Sequence, residues 1–297
     1  MLQPSAAFLT TARPRAVATW LFVVAAMIVG IVIVGGITRL TNSGLSITEW
    51  KPITGIIPPL TLAQWQAEFA NYKQIPAGYG WRLGALLTLG ALQGVIGWWM
   101  VTSGLSVRTD VSHIRLAVHL MTALVTLAGI VWTALDLRAL GRSQLAAPAR
   151  LAPVAIVAFA LLFIQLVYGA FTAGLDAGYA FSSWPLMGDS LYPAGVPMLA
   201  PGWTNAIDNP IMVQFIHRWL AFATAAGLVW LAVRTTRLGD RAGFWVVGLV
   251  TLQIMLGIAT LMTGVDIYVA VAHQANAALL LIATVFAAHR VGSDARV

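Results

Sequence analysis

Residues Thr38–Arg82 read TRLTNSGLSITEWKPITGIIPPLTLAQWQAEFANYKQIPAGYGWR. The stretch is polar, is broken by Pro52, Pro58, Pro59 and Pro76, and contains no run of about 18 apolar residues, the shortest that reads as a membrane span. Its one regular piece is expected to be a short surface helix, Thr61–Lys73. Thr61 and Gln64 form a capping box there, and Trp65 and Phe69 share a face at i, i+4.

The rest of the chain has the opposite character. Arg13 and Arg15 precede an apolar run, Val17–Ile37, that exceeds the roughly 7–15-residue core of a secretory signal. After Arg82 the expected spans are Leu83–Val101, Arg115–Leu135, Ala152–Gly174, Ile211–Val233, Gly243–Thr263 and Tyr268–His289. The total is seven. Helices are the form for segments of this length, because lipid cannot satisfy an open backbone. Composition agrees: of 297 residues, 59% are hydrophobic and 9% charged, against about 25% charged in an ordinary soluble domain. Mean hydropathy is +0.84. So few charges could not cover a water-exposed surface, and disorder is excluded too. The absence of cysteine rules out disulfides, thiolate-bound metal and a cysteine nucleophile. The net charge of +7 would suggest nucleic acid in a soluble protein. Here the arginines flank apolar spans and read as topology signals.

The loops sort by charge. Asp136–Arg150 carries Arg138, Arg142 and Arg150; Arg234–Arg241 carries Arg234, Arg237 and Arg241; the C-terminus carries Arg290 and Arg296. Leu175–Pro210 has no Lys or Arg. The positive-inside rule makes the first three cytoplasmic and the last external. Tracing backwards from a cytoplasmic C-terminus puts the residues before Leu83 inside. Tracing forwards from cytoplasmic Arg13 and Arg15 puts those after Ile37 outside. The two traces disagree by one crossing between Thr38 and Arg82.

An internal repeat leads to the same place. LQGVIGWWMVTSGL at Leu92 and LQIMLGIATLMTGV at Leu252 align with Gln93/Gln253, Gly97/Gly257 and Gly104/Gly264 at one offset of 160. VGGITRLTNSGLSITEW at Val34 and YGAFTAGLDAGYAFSSW at Tyr168 align with Gly35/Gly169, Thr38/Thr172, Gly44/Gly178 and Trp50/Trp184 at an offset of 134. The second half therefore holds 26 more residues between the matched blocks, the difference of the offsets. That is about one spanning helix, and the helix there is Ile211–Val233. We expect an all-α integral membrane bundle of seven spans, built from two parallel four-helix repeats with one helix missing in the first. The first half is 1–145 and the second 146–297.

Five histidines are the remaining candidates for a metal or haem. His217 and His273 lie about equally deep, roughly 8–9 Å along helices entered from outside. His119 lies at a similar depth. An ionisable group in a membrane span is a functional candidate by default, and two imidazoles at one level suit axial ligation of a haem iron. A lone membrane histidine also serves to hydrogen-bond a neighbouring helix; the matched pair favours ligation. Arg218 and Arg115 suit haem propionates or interfacial snorkelling. His113 and His289 are expected to be solvated or interfacial. Gly90, Gly94 and Gly97 suit close helix approach, and Trp98 and Trp99 an aromatic belt. The outer loop SSWPLMGDSLYPAGVPM is long enough to be a lid or a plain connection.

At these residues the chain resembles the haem A synthase family. The similar segments are GGITRLTNSGLSITEWKPITGIIPP, WQAEFANYKQIP, LQGVIGWWMVTSGL with RLAVHL, SSWPLMG, QFIHRWLA, and LGIATLMTGV with AHQANAALLL. The resemblance implies two haem sites: haem b held by His217 and His273, and substrate haem O held in part by His119. It implies oxidation of the haem O C8 methyl to a formyl group, with water as the oxygen source, for cytochrome oxidase biogenesis in a bacterial inner membrane. Expected partners are haem O, haem O synthase, an electron acceptor, the lipid bilayer and a second copy of the chain. The family's second helix carries Glu-x-x-His-Arg, and no such motif occurs here; the repeat partner reads Gln214-x-x-His217-Arg218. The catalytic residue is thus unassigned. Glu49 and Glu68 are the only glutamates, and neither is nominated. A non-catalytic haem b or electron-transfer protein is the alternative.

Overall fold

The structure is a computed structural model, and it describes residues 13–40, 78–104, 110–143 and 145–294. The surface helix Thr61–Lys73 and both glutamates fall outside these residues. Among the described residues, seven helices are long and apolar enough to cross a membrane. They are α1 (Pro14–Leu40), α2 (Gly80–Val101), α3 (His113–Leu140), α4 (Pro153–Gly174), α5 (Pro210–Arg237), α6 (Ala242–Met262) and α7 (Ile267–Asp294).

Local chemistry sets the ends of the helices. Asn209 caps α5, its Oδ1 accepting from the amides of Ile211 and Met212, and Pro210 follows at the first position, where its missing donor costs nothing. The turn from α6 to α7 places Gly264 and Val265 at positive φ. Asp266 then accepts from the amides of Tyr268 and Val269 at 3.0 and 3.2 Å to start α7. Helices α3 and α7 run past their expected ends, because Asp136 and His289 are buried in the bundle.

The second half is a bundle in which α5 packs on α4, α6 and α7, and α6 packs on α7. In the first half α2 packs on α3 as α6 does on α7, while α1 packs directly along α3. Between the halves α3 meets α4, α7 meets α1, and α3 meets α7. The core runs through this seam, with Leu127, Leu137, Leu228, Leu231 and Leu281 fully buried.

Contacts at the helix ends fix direction. Arg15 lies over Gly141 at the end of α3, and Gln274 near the start of α7 donates to the Val32 carbonyl of α1 at 2.7 Å. Helix α1 therefore runs from the arginine-rich face to the opposite one. Arg82 at the start of α2 pairs with Asp136 at 2.8 Å near the end of α3, and Trp99 near the end of α2 takes Arg115 from the start of α3. So α2 runs the same way as α1, and Leu40 and Gly78 stand at opposite faces.

Candidate functional site

Three helices that begin at the outer face each carry a histidine near the start. His119 in α3 and His273 in α7 lie six residues past the first residue, and His217 in α5 lies seven past. At 1.5 Å per residue this is one level, about 9–10 Å deep.

Each histidine is gripped from a neighbouring helix by a glutamine and a glycine four residues apart. Gln165 of α4 donates to the His217 carbonyl at 3.0 Å and lies 3.1 Å from its Nδ1. Gln253 of α6 donates to the His273 carbonyl at 3.1 Å and lies 3.3 Å from both its ring nitrogens. Gln93 of α2 donates to the His119 carbonyl at 3.3 Å. One turn on from each amide, a glycine admits the ring. A Cβ at Gly169 would meet His217 Cε1 at 3.3 Å, and one at Gly97 or Gly257 would meet His119 or His273 Cε1 at 3.1 Å. Glutamine and glycine share a helix face at i, i+4, so one sequence signature, Gln-x-x-x-Gly, builds the grip three times. The sequence marked Gln93, Gln253 and the glycines only as repeat positions and passed over Gln165. An amide recurring one turn before a glycine in apolar helices is the signal that finds them.

The fourth place in this pattern is open. Among the described residues, nothing lies within 4 Å of a Cβ built on Gly35 of α1, the repeat partner of Gly169, and the counterpart of Gln165 is Ile31. Gly90 and Gly94 also face open space. Their expected role in close packing fails because no described helix lies against them.

The outer loop is tied down above His217. Gln214 donates to the Phe181 carbonyl at 3.0 Å. Arg218 donates to the carbonyls of Ser183 and Phe181, each at 2.9 Å, which makes it a buried loop anchor and not a snorkelling residue. Trp184 stacks on both Trp219 and Phe222, at 6.2 and 6.1 Å between ring centres, and those two rings lie 5.8 Å apart. Arg115 caps the end of α2 and lies 4.7 Å over the Trp99 ring. The two remaining histidines are not solvated. His113 is buried, 3.2 Å from Asp208 and edge-on to Phe171. His289 is buried, 3.0 Å from Asp136 and edge-on to Trp132. Both carry acid partners that charge patterning does not reveal.

The helices that carry His217 and His273, α5 and α7, pack on one another. Among the described residues, buried polar atoms without a hydrogen-bond partner in the second half include Gln165 Oε1, Thr172 Oγ1, Gln214 Oε1, Arg218 Nε and Trp219 Nε1. In the first half His119 Nδ1 and Gln93 Oε1 are likewise buried and unpartnered. The arrangement offers nitrogen ligands at one depth and, beside the second-half pair, donors for an anionic group.

Comparison with known proteins adds identity. The family described as cytochrome oxidase assembly protein matches in two segments, residues 18–80 and 75–285. Heme A synthase of Rhizorhabdus wittichii is 49% identical, over 93% of this chain and 94% of its own length. Heme A synthase of Sphingopyxis alaskensis is 46% identical, over 94% and 93%. That of Novosphingobium aromaticivorans is 43% identical, over 96% and 97%. The first of these alignments spans 327 positions, whereas 93% of 297 residues is about 276, so about 50 positions are filled by the relative alone. The family match divides at residues 75–80, inside the stretch where the charge trace loses a crossing. With seven spanning helices and bacterial relatives, this is a multi-pass protein of the bacterial inner membrane. The chain belongs to the haem A synthase family of cytochrome oxidase assembly proteins.

Proposed function

We propose that the chain is a haem A synthase-type oxidoreductase that converts haem O to haem A. The observation carrying this reading is the Gln-x-x-x-Gly grip on three histidines at one membrane level, in a chain that matches haem A synthases over nearly its whole length.

We assign His217 and His273 as the axial ligands of a haem b, and His119 as a ligand of the substrate haem O. The residues suit such a group: two half-buried imidazoles, each beside an amide of the neighbouring helix that also holds its backbone, and donors on Arg218 Nε and Trp219 Nε1 for carboxylates. A bis-histidine haem supplies a one-electron carrier. Converting methyl to formyl with water as the oxygen source releases four electrons and four protons, so an external electron acceptor is required. In this reading the loop anchored by Arg218 and Gln214 keeps bulk water from the second-half site, and Gln93 with Gly97 fixes the rotamer of His119. Residues 1–145 form the substrate half and 146–297 the haem b half. Haem O synthase, as supplier of haem O, is the natural partner.

The test is incubation of the purified membrane protein with haem O and chromatography of the extracted pigments. Haem A is the expected product, and its absence would overturn the enzymatic reading. The absence of a Glu-x-x-His-Arg motif from the sequence favours one second reading, in which the chain retains the His217/His273 site as a haem b or electron-transfer protein. Haem b alone in the extract, with no haem A formed, would support it.

A further inference from the structure

Three arginines at the opposite end of the bundle have no part in the histidine sites. Arg15 of α1, Arg138 of α3 and Arg142 just beyond it line one cleft of about 540 Å³, with Ala18, Thr19 and Phe22 as its other walls. Arg138 in the last turn of α3 and Arg142 two residues past its end bring two like charges to one cleft. Arg15 reaches the same place because position 141 is glycine. A Cβ at Gly141 would meet Arg15 Cγ at 2.5 Å. Gly141 has φ −69, an ordinary right-handed value, so the backbone does not demand glycine there; the Arg15 side chain does.

Three other arginines at helix ends are matched within the protein, whereas Arg234, Arg237 and Arg241 are exposed and line no cleft with Arg15. Arg82 pairs with Asp136, Arg115 with the Trp99 carbonyl, and Arg290 with Asp240 and Asp294. Among the described residues, no carboxylate lies within ion-pair distance of Arg15, Arg138 or Arg142. Asp136, close to them in sequence, is turned inward to Arg82 and His289. The cleft thus presents three unmatched guanidiniums above the apolar surface of Ala18 and Phe22, beside Trp20 and Val23, which face outward from α1.

We propose that this cleft binds the phosphodiester headgroup of an anionic phospholipid of the cytoplasmic leaflet. Guanidiniums fork onto phosphate oxygens, and basic pockets between membrane helices on this side suit such headgroups. Three fixed charges match a lipid with two phosphates better than one with a single phosphate. The acyl chains run along Phe22 toward Val23. The bound headgroup ties the start of α1 to the end of α3, in the half where α1 packs on α3 and no described helix covers Gly35.

The experiment is native mass spectrometry of the full-length protein in detergent, titrated with diphosphatidylglycerol, phosphatidylglycerol or phosphatidylcholine. Affinity is expected to fall in that order. Replacing Arg15, Arg138 and Arg142 together by Gln should weaken diphosphatidylglycerol binding by roughly a hundredfold, the combined effect of three interfacial arginines. Gly141→Leu, which displaces Arg15 and removes no charge, should weaken it in the same direction. Arg234→Gln with Arg237→Gln, two exposed arginines outside the cleft, should leave it unchanged. Equal binding of phosphatidylcholine, or an equal loss in the Arg234/Arg237 variant, overturns the site. Displacement of the lipid by inorganic phosphate overturns the lipid as its ligand and assigns the cleft to a free anion.

Discussion

At the scale of single residues, the three gripped histidines are alike in setting and unlike in consequence. His217 and His273 stand on two helices that pack on one another, whereas His119 stands in a half where no described residue lies within 4 Å of a Cβ at Gly35. His217→Ala or His273→Ala is therefore expected to abolish the low-spin bis-histidine haem signal in optical and electron paramagnetic resonance spectra. His119→Ala should leave that signal intact and stop haem A formation. A low-spin signal that survives loss of His217 would refute the ligand assignment. The histidines themselves were readable in sequence, since ionisable groups stand out in apolar helices and their depth follows from helix rise. Their grips were not. A glutamine in a membrane helix says nothing of its partner, and Gln165 and His217 lie 52 residues apart. Arg218 illustrates the same limit: the loop carbonyls that hold its Nη atoms lie 32 to 37 residues earlier, and no local pattern announced them.

At the scale of elements, α2, α3 and α7 are locked at the arginine-rich end by one buried carboxylate. Asp136 is 2% exposed. It takes Arg82 at 2.8 Å, His289 at 3.0 Å and the Ala149 amide at 2.8 Å. These partners lie 54, 153 and 13 residues away, so no local pattern announced the cluster, and His289 read as a residue at the interface. Removing the carboxylate leaves Arg82 without its counter-charge, and breaking a buried pair from one side costs about 3–5 kcal/mol. Asp136→Ala is expected to lower the melting temperature in detergent markedly. The low-spin haem spectrum of the folded fraction should not change, because the histidines lie at the other end of these helices. A spectral change without loss of stability would move Asp136 from a structural lock to the haem sites.

At the scale of the whole molecule, hydrophobic run lengths revealed the seven spans, since lipid leaves few alternatives to a helix. Loop charge gave their directions. The same charges also exposed a contradiction, because α1 and α2 are consecutive described spans and yet run the same way, with Arg15 and Arg82 both beside the end of α3. The repeat and the divided family match put the discrepancy in the same stretch. The described residues on either side of that stretch, Leu40 and Gly78, stand at opposite faces of the bundle. The protein has no cysteine, so single cysteines can be placed without background. Arg13→Cys, Trp81→Cys and Asp240→Cys are expected to react with a membrane-impermeant maleimide only after the cytoplasmic face is opened. Leu40→Cys and Tyr268→Cys should react in intact spheroplasts. Reaction of Trp81→Cys in intact spheroplasts would mean that α2 is inverted in the membrane. Its Arg82 would then stand at the outer face, away from Asp136, and the stability lost on changing Asp136 would fall to that of the His289 contact alone.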